Sequence, residues 1–261
     1  MNESSITSGL DSSLDNSENI FIGQVTHHWA RNQKIPSQYC ATVDSTNTKA
    51  RSESFSEKSF NENLILYLTD QQTAGRGRGT NSWVSCAPGS QLLSTWSFMI
   101  DRPPRPTITP MIGLALYRAA VSTWPFLNFN LKAPNDLYIG NKKVAGLLLE
   151  TLSQGEDHRL LLGLGINVLS APESVQTASA ISKELSTATP LLAQDWIAFL
   201  ERLLFEISFS LQTSFEPMNS TSTNALLLAL NRHPLLSEKY VSLDGAGNLT
   251  TATRKIPWQE L

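Results

Sequence analysis

Apolar and polar positions along this chain follow two periods, one suited to strands and one to helices. Residues 38–43 form a short strand candidate. It leads into Asp44-Ser45-Thr46-Asn47, side chains that accept from free helix N–H groups, so a helix is predicted to about residue 56. Residues 64–69, LILYLT, are a continuous apolar run of buried-strand length. A glycine–arginine loop covers 74–80, and 91–100 read as another strand. After the proline-rich connector DRPPRPTIT, Thr109-Pro110 reads as an N-cap with proline at the first helical position, opening an apolar helix to about 123. Residues 126–132 form a strand stopped by Pro134. Residues 137–139 and 142–152, joined by Gly140-Asn141, form a hairpin, and SQGED then turns into 159–169. The stretch 126–169 is therefore expected to be an antiparallel meander. A short helix over 178–185 follows. Thr189-Pro190 opens a longer one to about 212, with Trp196, Phe199, Leu200, Leu203 and Ile207 at helical spacing. A helix at 224–231 and a hairpin around Asp244–Gly247 complete the chain.

Helices interleaved with antiparallel strands predict an α+β fold with a mixed, mainly antiparallel sheet flanked by helices. Residues 1–19, rich in Ser, Asn and Asp, are expected to be a flexible tail. A larger unit is expected over 20–217 and a small C-terminal segment over 218–261. No internal repeat is visible.

Composition narrows the function classes. Of 261 residues, 41% are hydrophobic and 16% charged, and the formal net charge is −3. Ser, Thr, Asn and Gln fill the gap left by a charged share below the usual figure of about 25%. The apolar share is enough for a core and argues against global disorder. A pI near 5.8 argues against a dedicated nucleic-acid binder. No run approaches the roughly 18 apolar residues that cross a membrane, and the N-terminus has neither a basic nor an apolar signal region. Two cysteines, Cys40 and Cys86, exclude a disulfide scaffold and a four-cysteine zinc site. They are expected to be reduced thiols of a cytoplasmic protein.

Four segments carry candidate chemistry. In Gln72-Thr73-Ala74-Gly75-Arg76-Gly77-Arg78-Gly79-Thr80-Asn81-Ser82-Trp83, alternating glycines allow backbone N–H groups to converge on an anion, and two guanidinium forks suit carboxylate or phosphate. A plain solvated basic loop, or a small nucleic-acid contact, fits the same residues. No helix pattern follows the loop, which excludes a Rossmann turn, and no Gly-Lys-Ser/Thr occurs, which excludes a P-loop. Lys132-Ala133-Pro134-Asn135-Asp136-Leu137 puts an amide and a carboxylate on a proline corner, although an ordinary Pro-Asn-Asp turn reads the same. Lys143 follows the hairpin turn. Plain alternation sets it on the face of Ala145, Leu147 and Leu149, unless it simply snorkels to solvent. Gly163-Leu164-Gly165-Ile166-Asn167-Val168 lacks the third glycine of a dinucleotide fingerprint and suggests a strand that a ligand approaches closely.

In this order and spacing the DSTN, GRGRGTNSW, KAPNDLYIGNKKVAG and GLGINV segments resemble the biotin protein ligases over about residues 38–185. The related lipoate ligases share the fold but not the glycine–arginine loop. The resemblance implies the class II synthetase-like biotin/lipoate ligase fold with a shortened C-terminal appendage. It implies ATP-dependent attachment of biotin to a specific lysine of the biotin carboxyl carrier protein of acetyl-CoA carboxylase through biotinoyl-5′-AMP, with ATP, biotin and Mg²⁺ as cofactors. By the same resemblance, Ser45, Thr46, Asn47, Gln72, Gly75, Arg76, Gly77, Lys143 and Gly163 bind biotin. Arg76, Arg78, Trp83, Lys132, Asn135, Asp136, Lys143 and Asn167 bind ATP or the adenylate, and Lys143, Arg78 and Asp136 are catalytic. Asp136 is either a base for the incoming lysine or a Mg²⁺ ligand, and no other metal ligand is implied. The implied setting is cytoplasmic, as a monomer or homodimer, without DNA or membrane.

The chain departs from the family pattern in places. Ala133 stands where the family often has Trp, and the loop lacks the frequent arginine-rich continuation. About 35 residues precede the first matching strand, which leads to the expectation of a ligase without an N-terminal repressor domain. Only residues 239–261 resemble the usual terminal hairpin. A lipoate or octanoyl transferase, or a non-catalytic biotin-binding homologue, is the alternative.

Overall fold

The computed structural model describes residues 21–261, so the tail expected over 1–19 lies outside the described residues. The chain opens with α1 (Ile22–Asn32), β1 (Ser37–Val43), α2 (Thr46–Glu53), α3 (Glu57–Phe60), β2 (Leu64–Gln72) and β3 (Gln91–Ile100). Then come α4 (Ile108–Thr123), β4 (Phe129–Lys132), β5 (Asp136–Ile139), β6 (Lys142–Gln154) and β7 (Asp157–Asn167). It closes with α5 (Ile181–Glu184), α6 (Ala193–Gln212), α7 (Ser220–Asn231), β8 (Ser242–Leu243), β9 (Asn248–Thr250), β10 (Lys255–Pro257) and a 3₁₀ turn, Trp258–Glu260.

Seven strands make one sheet in the order β1-β2-β3-β7-β6-β5-β4, and β10-β9-β8 make a small second one. Only the β1–β2 pairing in the large sheet is parallel, so it is mixed and mainly antiparallel. The meander expected over 126–169 is present as β4 to β7, and β7 docks on β3.

Strand alternation sorts the sheet into two faces. Leu66, Leu68, Trp96, Leu160, Leu162, Leu164 and Ile166 point into the main core, against α1, α4 and α6. Trp29 and Trp196 bring aromatic area to that layer, and the Trp196 indole N–H donates to Thr26 at 3.1 Å. The opposite face carries a smaller cluster, Ala50 with Ile65, Tyr67 and Leu161, that seats α2. Beyond that cluster the second face turns polar and glycine-rich, and there the sheet can accept a ligand instead of a helix.

Several boundaries differ from the sequence expectation. α1 carries Ile22, Thr26, Trp29 and Ala30 at helical spacing, a signal that the plain reading of that stretch passed over. α4 is capped at Thr107, not Thr109, so Pro110 occupies the third helical position, where its missing N–H still costs no intrahelical bond. α6 begins at Ala193, not after Thr189-Pro190, because the Asp195 carboxylate accepts from the Leu192 N–H and sets the N-terminus. The 178–185 helix shrinks to α5 because Ala178 is spent on a bridge to Lys143. The strand expected from 126 begins at Phe129. Both cysteines are free thiols. Among the described residues no helix is long and apolar enough to cross a membrane.

Candidate functional site

A cavity of about 270 Å³ opens over the glycine-rich end of β6 and β7. One wall is the N-terminus of α2. Ser45 caps that helix, accepting from the Thr48 N–H at 3.4 Å, and its buried side chain does not line the cavity. Thr46 and Asn47 do. The Thr46 N–H donates to Gln72 Oε1 at 2.8 Å, and its hydroxyl reaches the same oxygen at 3.2 Å. The Thr95 hydroxyl in β3 donates to Asn47 Oδ1 at 2.7 Å and lies 2.9 Å from the Thr46 hydroxyl. Thr95 was not legible as a site residue. Its strand also carries Gln91, Ser94 and Ser97, so the hydroxyl of Thr95 did not stand out in the sequence.

The floor is made by absent side chains. A Cβ on Gly163 would lie 2.2 Å from Asn47 Oδ1, and one on Gly165 would lie 2.6 Å from the Trp83 ring. These contacts are the close approach expected of the GLGINV segment, made by the protein's own side chains. Asn167, expected near the nucleotide, does not line the cavity. It is buried, accepts from Gln91 at 2.8 Å and donates to the Ser179 carbonyl at 3.0 Å.

The glycine–arginine loop is a pinched hairpin. The Trp83 N–H donates to Gly75 O at 3.0 Å, the Gly77 N–H to Asn81 O at 2.9 Å, and Arg76 bridges Ser82. Gly79 takes the left-handed backbone, φ +62°, at its tip. These two N–H groups are engaged within the hairpin. Gly75 sits behind the lining, where a Cβ would meet Trp83 O at 2.6 Å. Gly77, Arg78 and Trp83 line the cavity, as does Arg76. Arg76 is drawn across the opening onto Glu150 of β6, with Nη1 and Nη2 at 3.1 and 3.0 Å from its two oxygens. Burial pushes the Glu150 carboxyl up, but hydrogen bonds from Asn47, Arg51 and Arg76 outweigh it and hold the group below its usual range. Glu150 was also missed. It lies well past the Lys-Val-Ala-Gly stretch and reads as an ordinary strand carboxylate.

The far wall is the β4–β5 corner. Lys132, Asn135 and Asp136 line the cavity there, and Asn135 Nδ2 donates to the Leu147 carbonyl at 2.5 Å. Lys143 Nζ lies 2.7 Å from Asp136 Oδ1 and 5.7 Å from the Trp83 ring centroid. The face expected for Lys143 is corrected by the structure. Tyr138 pairs with Lys143 but Leu137 pairs with Ala145, so Val144 is an unpaired bulge residue. The extra residue inverts the alternation. Lys143 faces the cavity with Gly146, while Val144, Ala145 and Leu147 go to the core. The main chain of Lys143 is fixed on both sides, its N–H donating to Thr177 O at 2.7 Å and its carbonyl accepting from Ser179 at 2.9 Å.

The C-terminal segment also reaches the site. Trp258 is buried with Leu226 and Leu230 behind the corner, against a small void that Ala133 also lines. Leu261 lines the main cavity, and Arg78 donates to its carbonyl.

Residues 39–167 match the model of the family described as Biotin/lipoate A/B protein ligase family. That stretch, just under half of the chain, carries the family's pattern. The chain is 31% identical over 130 residues to the biotin–[acetyl-CoA-carboxylase] ligase of Mycobacterium tuberculosis, covering 48% of this chain and 47% of that one. The chain thus spans about half the length of that relative. Among solved structures, the biotin protein ligase from Aquifex aeolicus in complex with biotin and ATP superposes with TM-score 0.66 at 23% identity, covering 86% of this chain and 97% of that one. The biotin acetyl coenzyme A carboxylase synthetase from Helicobacter pylori with bound biotinylated ATP gives 0.58 at 17%, covering 85% and 99%. At these identities the likeness establishes the fold, and the biotin/lipoate ligase architecture is the one observed.

Proposed function

We propose that this protein is a biotin–[acetyl-CoA-carboxylase] ligase that attaches biotin to a lysine of a carboxyl carrier protein, using ATP and passing through biotinoyl-5′-AMP. The observation that carries this reading is the meeting, in one cavity, of an acyl-recognition wall and a cationic reaction wall. Thr46, Asn47 and Gln72 offer the donors and acceptors that suit the ureido head of biotin. The cleft between them and Lys143 suits its ring and chain. Lys143, Arg76 and Arg78 bring cations to the point where a carboxylate must meet a phosphate.

The first step joins a biotin carboxylate oxygen to the α-phosphorus of ATP and releases pyrophosphate. The second joins a lysine nitrogen to the acyl carbon, releases AMP and gives up the amine proton. Negative charge grows on phosphate oxygens and then on an acyl oxygen. Lys143, its main chain clamped by Thr177 and Ser179, is preorganised to stabilise both. Asp136 is the carboxylate within reach of the phosphates or of the amine proton. Among the described residues no cluster of metal-binding side chains exists. Mg²⁺ binds through one or two carboxylates plus substrate phosphates, and Asp136, which lines the cavity, would be its protein ligand here. When bound, the ion would neutralise charge on the pyrophosphate.

The reading is tested by incubating the protein with ATP, labelled biotin or lipoate, and a carrier domain. Label on the carrier from biotin alone supports it. Label from lipoate alone transfers the proposal to the lipoate branch of the family, and binding without transfer overturns catalysis.

A further inference from the structure

Glu150 does not line the cavity, yet its carboxylate gathers donors from two of the cavity's walls. Asn47 Nδ2 donates to it at 3.1 Å, Arg51 at 2.7 Å, and Arg76 through a two-pronged contact at 3.1 and 3.0 Å. Its side chain is only 13% exposed, and the contact with Asn47 is partly buried, while the two arginines reach it from solvent. A carboxamide can sit in two orientations that differ only by exchange of oxygen and nitrogen. With Thr95 donating to Asn47 oxygen and Glu150 accepting from its nitrogen, only one orientation satisfies both. A continuous polar chain then runs from Gln72 through Thr46, Thr95, Asn47 and Glu150 to Arg76.

We infer that Glu150 is a positioning residue for biotin recognition, holding Asn47 in its binding orientation and drawing Arg76 over the acyl wall. This rests on the function proposed above. Electrostatics sharpens the inference. A carboxylate beside a site for anionic substrates is unfavourable in itself, and two arginines are spent on masking it. Removing Glu150 therefore loses order on the biotin side while leaving the site more cationic toward ATP.

The test is steady-state biotin transfer to a carrier domain, varying biotin and ATP separately, for wild type, Glu150→Ala, Glu150→Gln, Asn47→Ala, the double variant Asn47→Ala/Glu150→Ala, and Arg51→Ala. Glu150→Ala is expected to raise the KM for biotin roughly ten- to hundredfold, the range for a lost hydrogen bond to a charged group. The KM for ATP is expected not to rise. Glu150→Gln keeps the shape and one acceptor and is expected to fall between, which covers the case in which the alanine variant does not fold. In the Asn47→Ala background the Glu150 substitution should add less than about threefold, because coupled residues are not additive. Arg51→Ala removes an exposed arm of the same cluster and should leave the KM for biotin unchanged. A biotin KM within twofold of wild type in both Glu150 variants overturns the inference. So does a parallel rise for ATP, or full multiplication in the double variant. Absence of transfer by wild type overturns the functional reading and this inference together.

Discussion

The two walls of the cavity are built to different standards of rigidity. On the acyl wall, Thr46, Asn47, Gln72 and Thr95 are joined by hydrogen bonds at 2.7–3.2 Å, and glycines leave no room for an alternative arrangement. On the reaction wall the cations rest on exchangeable partners. Lys143 pairs with Asp136, and Arg78 with the carbonyl of Leu261. A fixed wall selects a ligand before it arrives and lowers the cost of ordering it on binding. A wall of replaceable ion pairs lets phosphates enter by substitution, one anion for another. Selectivity and reactivity thus reside in separate parts of one cavity.

The comparison is tested most severely at Lys143. Lys143→Ala should lower the rate of adenylate formation about 10²–10³-fold, the usual loss for one charge-stabilising donor. Its melting temperature should stay near wild type, since the clamps on its main chain do not involve the side chain. Near-normal pyrophosphate release would remove Lys143 from the reaction wall.

Arg78→Gly should still form adenylate, because Lys143 remains, but should retain it less well by about 1.5–3 kcal/mol. Escaped adenylate would label bystander proteins, so biotin on added serum albumin is the readout. Labelling no greater than wild type, with adenylate still forming, refutes the retention role.

Gly163→Ala attacks the fixed wall. Its new Cβ would lie 2.2 Å from Asn47 Oδ1, and overpacking of this kind costs about 1–3 kcal/mol. Calorimetry should show weakened biotin binding with ATP binding nearly intact. Equal loss for both would mean that the walls are not separable.

The smallest effect concerns pH. The folded-state pKa of Glu150 lies below its usual value of 4.5. Its contribution to stability is therefore fully present above pH 4.5 and lost as pH falls through the folded-state value. Melting temperatures of wild type and Glu150→Gln should converge as pH drops below that point. A constant gap across the acid range would show that the charge of Glu150 contributes nothing.

Much of this was legible in the residues themselves. The meander, the long amphipathic helix at 193–212 and the DSTN corner follow from period and capping chemistry. The glycine–arginine loop, the proline corner and the hairpin lysine do converge on one cavity. What stayed hidden depends on pairing across the sheet. Thr95 and Glu150 acquire their place only when β3 and β6 both lie beside β7, more than 60 residues from Thr95 in sequence. Asn167 misled for the same reason, since its partners Gln91 and Ser179 come from other segments. The C-terminal contact could not be foreseen either, because Leu261 reaches the cavity only by way of the β8–β10 sheet.

Val144 has a consequence for insertions and deletions in this strand. A β-strand keeps parity, with odd positions on one face and even positions on the other. The bulge changes that parity once, between Lys143 and Ala145. Deleting Val144 alone would restore unbroken alternation and keep Lys143 on the cavity face, because the lysine would then directly precede core-facing Ala145. A homologue with the same spacing but no bulge could keep every motif in its sequence and lose the lysine from its site. The face that the lysine takes is therefore set by the bulge and not by residue count alone.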